Sequence, residues 1–219
     1  MIERRVLSKE EQQIRDRLLQ LSEAVQTSID SVCTALASLD TNACEIIITN
    51  DNNINAQQNI IENEVLAAIA TQQPVATDLR ILVAALHISV ELERIADHVS
   101  GIAKTIIKIK NHEPVNCIDD VLNMAKACQD MLNQAIQAYM TYDAESAIAI
   151  AAKDQQIDTT QTQISNSIIQ QMCENVALVP FGSCMLWIVH AIERIGDRTT
   201  NICEQTAYIK QGEILDLNR

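Results

Sequence analysis

Apolar residues recur every three or four positions along most of the chain, which is the spacing of one face of a helix. The first such stretch runs from about Ser8 to Leu39, where Ser8 followed by Glu11 has the pattern of a helix-capping box. No stretch alternates apolar and polar residues as a strand does, and no hairpin dipeptide occurs. The pattern therefore predicts an all-α protein.

Six long helices account for the apolar pattern. Pro74 ends the second helix and Pro180 precedes the sixth, while Asn111 to Pro114 separate the third from the fourth. Asn50 to Asn53 are poor helix formers, which favours a bend in the second helix at these residues. The predicted helices cover about residues 8–39, 41–71, 76–109, 118–139, 144–175 and 182–210.

One short element occurs twice. Residues 93–98 read Glu-Arg-Ile-Ala-Asp-His, and residues 193–198, 100 positions later, read Glu-Arg-Ile-Gly-Asp-Arg. The apolar run before each copy also aligns, with Leu86 matching Leu186. This repetition predicts two tandem three-helix bundles related by a pseudo-twofold axis, with the first repeat at residues 1–112 and the second at 113–219.

Composition narrows the classes of function. The net charge is −13 and aromatic residues make up 2% of the chain, which argues against nucleic acid and against an anionic membrane surface. The longest uncharged stretch, residues 175–192, contains Pro180 and His190, so a buried helix is a better interpretation than a membrane span. The seven scattered cysteines contain no CxxC pair and are expected to be small buried side chains in a reducing cytoplasm. Trp187 is expected in the core.

Each half also carries a second pair of oxygen-bearing side chains on its second helix. Asp154 and Asp158 form this pair in the second half, and Asp51 and Asn55 form it in the first half, 103 residues earlier. Residues four apart share a helix face, and helices in contact lie about 8–10 Å apart. Each pair is therefore predicted to converge with the Glu and Asp of the doubled element.

Clustered carboxylates repel one another unless water, salt or a bound cation screens them. Oxygen ligands with few His and no Cys favour hard cations such as Mg, Mn, Ca or iron. A metal centre and a solvated acidic face both remain open on the spacing. The halves differ, because Asn55 carries no charge and Lys104 stands where the second half has Glu204. The second half is therefore predicted to bind metal more tightly.

The doubled element, the Asp-x-x-Ile-Asp element and Thr77-Asp78-Leu79-Arg80 together resemble the PhoU family of phosphate transport system regulatory proteins. The resemblance covers nearly the whole chain and implies an all-α fold with two metal clusters that hold Mg, Mn, Fe or Zn. Asn55 and Arg198 depart from the family motif. The ligands implied by the resemblance are Asp51, Asn55, Glu93, Asp97, Asp154, Asp158, Glu193 and Asp197.

The resemblance also implies a function. It indicates a cytoplasmic negative regulator, not an enzyme, that couples a phosphate ABC transporter to a sensor histidine kinase and forms a homodimer. The main alternative is a helical adaptor that binds no metal. A ferritin-type di-iron carboxylate oxidase is disfavoured, because no Glu in the chain has a His three residues later.

Overall fold

The structure is a computed structural model that describes residues 2–217, with side chains described from residue 7 onward. Seven helices and one short 3₁₀ turn make up this part of the chain, and no strand occurs within it, which confirms the all-α prediction. The helices are α1 (Ile2–Ser38), α2 (Thr41–Gln72), α3 (Ala76–Ile109), α4 (Ile118–Thr141), α5 (Ala144–Ala151), α6 (Asp154–Glu174) and α7 (Val179–Gln211), with the 3₁₀ turn at Val176–Leu178.

The helices form two tandem three-helix bundles, in which α5 and α6 together act as one interrupted helix. The first bundle packs α1, α2 and α3 together, and the second packs α4, α5 and α6 around α7. The central helices α3 and α7 run antiparallel against each other. Arg80 Nε at the start of α3 donates to the Ile209 carbonyl at 3.0 Å, and Asn201 Nδ2 donates to Glu91 Oε2 at 3.1 Å further along.

The two bundles share one continuous aliphatic core. Leu21 and Val25 of α1, Leu82 of α3, Leu132 of α4 and Ile188 of α7 are all fully buried members of it. Burying an aliphatic side chain of this size stabilises the fold by about 1.5–3 kcal/mol. The predicted boundary at residue 112 falls in the connection between α3 and α4. It stays a prediction, since the core crosses from one half to the other.

The first helix starts earlier than its sequence pattern predicts. Helix α1 begins at Ile2, so Ser8 lies inside the helix and the predicted capping box is wrong. No Pro or Gly interrupts residues 2–8, and Leu7 is buried against the core. Packing of this extra turn outweighs the weak preference of Ser for a helix end.

The predicted fifth helix is interrupted. It breaks at Ala152 and Lys153, where the Lys153 N–H donates to the Ile150 carbonyl and the Gln156 N–H donates to the Lys153 carbonyl, both at 3.0 Å. These three-residue hydrogen bonds tighten the turn in the manner of a 3₁₀ helix. In the first half, α2 continues unbroken through Asn50 to Asn53. Only the second half has the break, and it falls directly before Asp154.

The sixth predicted helix also begins early. Helix α7 starts at Val179, so Pro180 lies in its first turn, where the missing N–H has no helical partner to lose. The stretch Val176–Gln211 is long and apolar enough by length and composition to cross a membrane. In this fold it includes the central helix of the second bundle, with Phe181 and Met185 fully buried.

Two smaller expectations need correction. Trp187 is not a core residue, since it is 44% exposed. Its ring lies over Gly101, where an added Cβ would approach the ring at 2.7 Å, so the pair seals α7 against α3. All seven cysteines are free, but only four of them are buried and Cys173 is exposed.

Candidate metal centres

The deepest carboxylate of the second half is Asp154, the first residue of α6, which is 6% exposed. Its side chain approaches α7 at Gly196, between the Glu and the Asp of the doubled element. A Cβ on Gly196 would lie 2.5 Å from Asp154 Oδ1, closer than two such atoms can approach. Glycine at this position therefore makes room for the buried carboxylate.

The four predicted carboxylates of the second half act on one another electrostatically. Burial and, after it, the charges of Asp158, Asp197 and Glu193 together raise the pKa of Asp154 to about 7, while the Thr200 hydroxyl opposes this shift. A carboxyl with such a pKa is close to half protonated at neutral pH, which reduces the repulsion within the group.

Asp158 and Glu193 show the same effect. Burial raises the pKa of Asp158, and the charge of Asp197 adds to it. Burial and Asp197 also raise the pKa of Glu193, while Arg194 and His190 lower it. We call the set Asp154, Asp158, Glu193 and Asp197 the second cluster.

Arg194 and His190 already contact the second cluster. Arg194 Nη1 donates to Asp197 Oδ2 at 2.8 Å, and Arg194 Nε lies 3.6 Å from Glu193 Oε2. His190 Nδ1 lies 3.3 Å from the same Glu193 oxygen. Asp197 and Glu193 are 14% and 19% exposed, so these contacts are only partly screened by water.

The first half assembles a weaker version, which we call the first cluster: Asp51, Asn55, Glu93 and Asp97. Burial, and then the charge of Asp97, raise the pKa of Asp51, while Lys104 lowers it. Burial raises the pKa of Glu93, and Asp97 and Asp51 add to the shift. The structure therefore groups these three carboxylates electrostatically.

Side-chain oxygens in both clusters are buried without a hydrogen-bond partner. They are Oδ1 of Asp51 and Oδ1 of Asn55 in the first cluster, and Oδ1 of Asp154 in the second. Leaving a buried polar atom unpaired costs about 1–3 kcal/mol. Each cluster thus contains at least one buried oxygen without a partner. This donor set fits a hard cation.

The side chains are not arranged around a shared point. Within residues 2–217, no three His, Cys, Asp or Glu side chains lie close enough together to hold one ion as they stand. In the second cluster, Asp197 is turned onto Arg194. A bound ion would need this carboxylate to rotate away from the guanidinium.

Two polar residues that follow the doubled element on α7, Glu204 and Asn201, have other roles. Glu204 accepts a hydrogen bond from the Leu217 N–H at 2.8 Å and so holds the C-terminal segment. Asn201 donates to Glu91 of the first half. Neither side chain joins the carboxylates of the second cluster, although both lie on the same helix.

Pattern reasoning missed three residues that shape the clusters or their surroundings. Gly196 occupies the position of Ala96, and this one difference between the repeats signals a close approach. Thr200, fully buried, lies beside Asp154. Glu91, 9% exposed, pairs with Arg94 at 3.0 Å and with Arg198 across the repeats at 3.5 Å. Its counterpart, Ala191, gives no sign of this role.

Comparison with known proteins decides the family. A family model described as the PhoU domain matches the chain twice, at residues 18–106 and 121–206. The chain belongs to the PhoU family. The two matches to the PhoU model each contain one copy of the doubled element.

Relatives and solved structures agree with this assignment. The chain is 32% identical over 216 residues to the phosphate-specific transport system accessory protein PhoU homolog of Clostridium acetobutylicum, covering 98% of this chain and 99% of that one. It is 34% identical to the Streptococcus pneumoniae homolog, over 94% and 95% of the two chains. The crystal structure of the phosphate transport system regulatory protein PhoU from Streptococcus pneumoniae superposes with a TM-score of 0.90 at 32% identity, covering 96% of this chain and 99% of that one. PhoU from Pseudomonas aeruginosa gives 0.89 at 25% identity, covering 94% and 99%. The tandem three-helix architecture is thus the PhoU fold.

Proposed function

We propose that this chain is a cytoplasmic negative regulator of phosphate uptake and of phosphate-starvation signalling. It couples a phosphate ABC transporter to a sensor histidine kinase, acts as a homodimer, and performs no catalysis itself. The names of its relatives support the first part, since they describe accessory and regulatory proteins of phosphate transport.

The observation that carries the proposal is the pair of partly buried carboxylate clusters within a PhoU fold. The ligands would be Asp51, Asn55, Glu93 and Asp97 in the first cluster, and Asp154, Asp158, Glu193 and Asp197 in the second. When bound, Mg, Mn, Fe or Zn would supply positive charge that neutralises these carboxylates and satisfies their unpaired oxygens. Neutralisation changes the acidic surface that a partner meets, which is how metal loading would affect docking.

The metal component is tested by elemental analysis of the full chain purified without chelator. The comparison is a quadruple variant with Asp154→Asn, Asp158→Asn, Glu193→Gln and Asp197→Asn. Metal in the wild type that falls in the variant supports the proposal. Absence of metal in the wild type, even after incubation with Mn, Fe and Mg, favours the metal-free adaptor instead.

The regulatory component needs a separate test. A bacterial strain that lacks its own PhoU should regain phosphate repression of a starvation-inducible reporter when it expresses this chain. The quadruple variant, expressed to the same level and equally helical, is the control and should restore less repression. A reporter that stays induced with the wild-type chain present and folded would contradict the regulatory role in that host.

A further inference from the structure

We propose that Arg194 is a built-in counter-cation of the second cluster, which an incoming metal ion must displace, and that Glu91 holds the equivalent Arg94 away from Asp97 of the first cluster. This inference rests on the metal component of the proposed function. It concerns which side chains of this protein compete with the metal and in which half.

The contacts of Arg194 carry the first part. Its guanidinium spans Asp197 at 2.8 Å and Glu193 at 3.6 Å, so one cation serves two of the four carboxylates. Arg194 is 44% exposed, while both carboxylates are less than 20% exposed. The arginine can therefore move into solvent while the carboxylates stay in place, as expected of a cation that a metal ion can displace.

The repeat supplies an internal control. Arg94 is the counterpart of Arg194, and Asp97 stands three residues beyond it as Asp197 does in the second half. Yet Arg94 Nη1 turns the other way and binds Glu91 Oε1 at 3.0 Å, so that it acts on the first cluster only through its charge, which lowers the pKa of Glu93. Position 191 holds Ala where position 91 holds Glu, so Arg194 has no such alternative partner three residues back.

Glu91 is well suited to hold Arg94. It is 9% exposed, and it also accepts from Asn201 at 3.1 Å and lies 3.5 Å from Arg198 of the other repeat. These contacts fix the Glu91 carboxylate in place, so binding Arg94 requires little further ordering. The difference between Glu91 and Ala191 thus accounts for why Arg194 pairs with Asp197 while Arg94 does not pair with Asp97.

The consequence is a competition in the second cluster that the first cluster lacks. A metal ion entering the second cluster must replace the guanidinium on Asp197, whereas Lys104 only reduces the negative charge around the first cluster.

The experiment is calorimetric titration of the full chain with Mn²⁺, with one cluster read at a time. The second cluster is read in a background that carries Asp51→Asn, Glu93→Gln and Asp97→Asn. In that background Arg194→Gln should tighten Mn²⁺ binding by about fivefold, because a partly buried ion pair of this kind is worth roughly 1 kcal/mol. The matched control is Arg94→Gln read at the first cluster, in a background whose second cluster carries Asn or Gln at all four positions. It should change the affinity there by less than about twofold, since Arg94 is held by Glu91.

A second variant tests the role of Glu91 and leaves all predicted ligands of the first cluster unchanged. The first cluster is read in a background in which the second cluster carries Asn or Gln at all four positions. There Glu91→Gln should release Arg94 onto Asp97 and weaken Mn²⁺ binding by about threefold. The double variant Glu91→Gln with Arg94→Gln should restore the affinity, which a merely structural role of Glu91 would not allow.

The outcomes separate the inference from the proposal on which it rests. If neither background protein binds Mn²⁺ when it carries no further substitution, the metal component fails and the inference fails with it. If the background that keeps the second cluster binds Mn²⁺ but Arg194→Gln does not bind it more tightly, Arg194 is not a counter-cation of the second cluster, and the metal component stands. Unchanged binding in Glu91→Gln would overturn the role of Glu91 alone.

Discussion

The two carboxylate clusters occupy equivalent places in the two repeats, but they differ in almost every feature that affects a cation. The second cluster has four carboxylates, a glycine at position 196 and a helix break just before Asp154. The first cluster has Asn55 in place of a carboxylate, Ala96 in place of glycine, and Lys104 nearby. A repeated fold has preserved the packing of its helices while the charge of its polar faces has diverged.

The cause lies in how differently the two kinds of position are constrained. Core positions of both repeats form one aliphatic interior, where a change in volume is felt by many neighbours. Positions of the clusters are partly open to water, so replacing Asp with Asn changes charge with little effect on packing. The comparison predicts a strong second site and a weak first site in one rigid frame, and the following variants test that difference in order of effect.

The largest effect is expected from removing one cluster at a time. Changing Asp154, Asp158, Glu193 and Asp197 to their amides should lower metal affinity at least about a hundredfold at that cluster, because all charged ligands are lost. The matched variant of Asp51, Glu93 and Asp97 should remove less metal from the protein as purified. Elemental analysis of both variants measures this, and equal loss from the two would contradict the predicted inequality.

The next effect concerns Gly196. Changing Gly196 to Ala places a methyl group 2.5 Å from Asp154 Oδ1, so the carboxylate must move out of the cluster. We expect about a tenfold loss of Mn²⁺ affinity at the second cluster, in the range seen when ligand positioning is disturbed. Backbone strain is not the reason, since this glycine is helical and Ala is the better helix former by about 1 kcal/mol.

The reverse change in the other repeat is the control. Changing Ala96 to Gly should leave metal affinity at the first cluster unaltered and lower the free energy of unfolding by about 1 kcal/mol. Calorimetric titration together with chemical denaturation separates the two quantities. A Gly196→Ala protein that binds Mn²⁺ as tightly as the wild type would show that the close approach to Asp154 has no functional purpose.

Sequence reasoning could predict this comparison only in part. Helix starts at Thr41, Ala76 and Ala144 agree with the structure, since turn residues and Pro mark them directly. The grouping of Asp154 with Glu193 followed from the repeat offset and helical periodicity. Both depend on local spacing, which one chain displays in full.

The missed features depend on contacts between distant segments. The break at Ala152 and Lys153 carries no Pro or Gly, and Asn50 to Asn53, which are poorer helix formers, remain helical because packing outweighs propensity. The choice of Arg94 for Glu91 depends on Asn201 and other groups more than 100 residues away. Periodicity describes one helix at a time and carries no information on such pairings.

A different quantity, the stability of the metal-free protein, tests the burial of Asp154. The pKa of Asp154 is raised from 3.8 to about 7 in the folded state, so the folded protein binds this proton more tightly than the unfolded chain does. The stability that protonation provides is complete below about pH 4 and is lost as the pH rises through 7. Asp154→Asn, which is neutral at every pH, should therefore unfold at higher denaturant concentration than the wild type at pH 8, by about 2 kcal/mol in free energy.

Near pH 4.5, the two proteins should differ by much less. Denaturation in the presence of chelator at both pH values measures this, and the matched control is Asp51→Asn. Burial raises the pKa of Asp51 as well, but Lys104 opposes the shift, so its gain at pH 8 should be smaller. An Asp154→Asn variant that is less stable than the wild type at pH 8 would show that the buried charge is compensated inside the protein.

The smallest effect would restore a missing charge to the first cluster. Asn55→Asp keeps the size of the side chain and gives the first cluster the four carboxylates of the second. We expect Mn²⁺ affinity there to rise by about threefold to fivefold, since Lys104 still reduces the local negative charge. Adding Lys104→Gln should raise the affinity further, and titration in the background lacking the second cluster measures both steps. If neither change strengthens binding, charge count is not what separates the two repeats, and the close approach at Gly196 with the buried Asp154 would account for the difference.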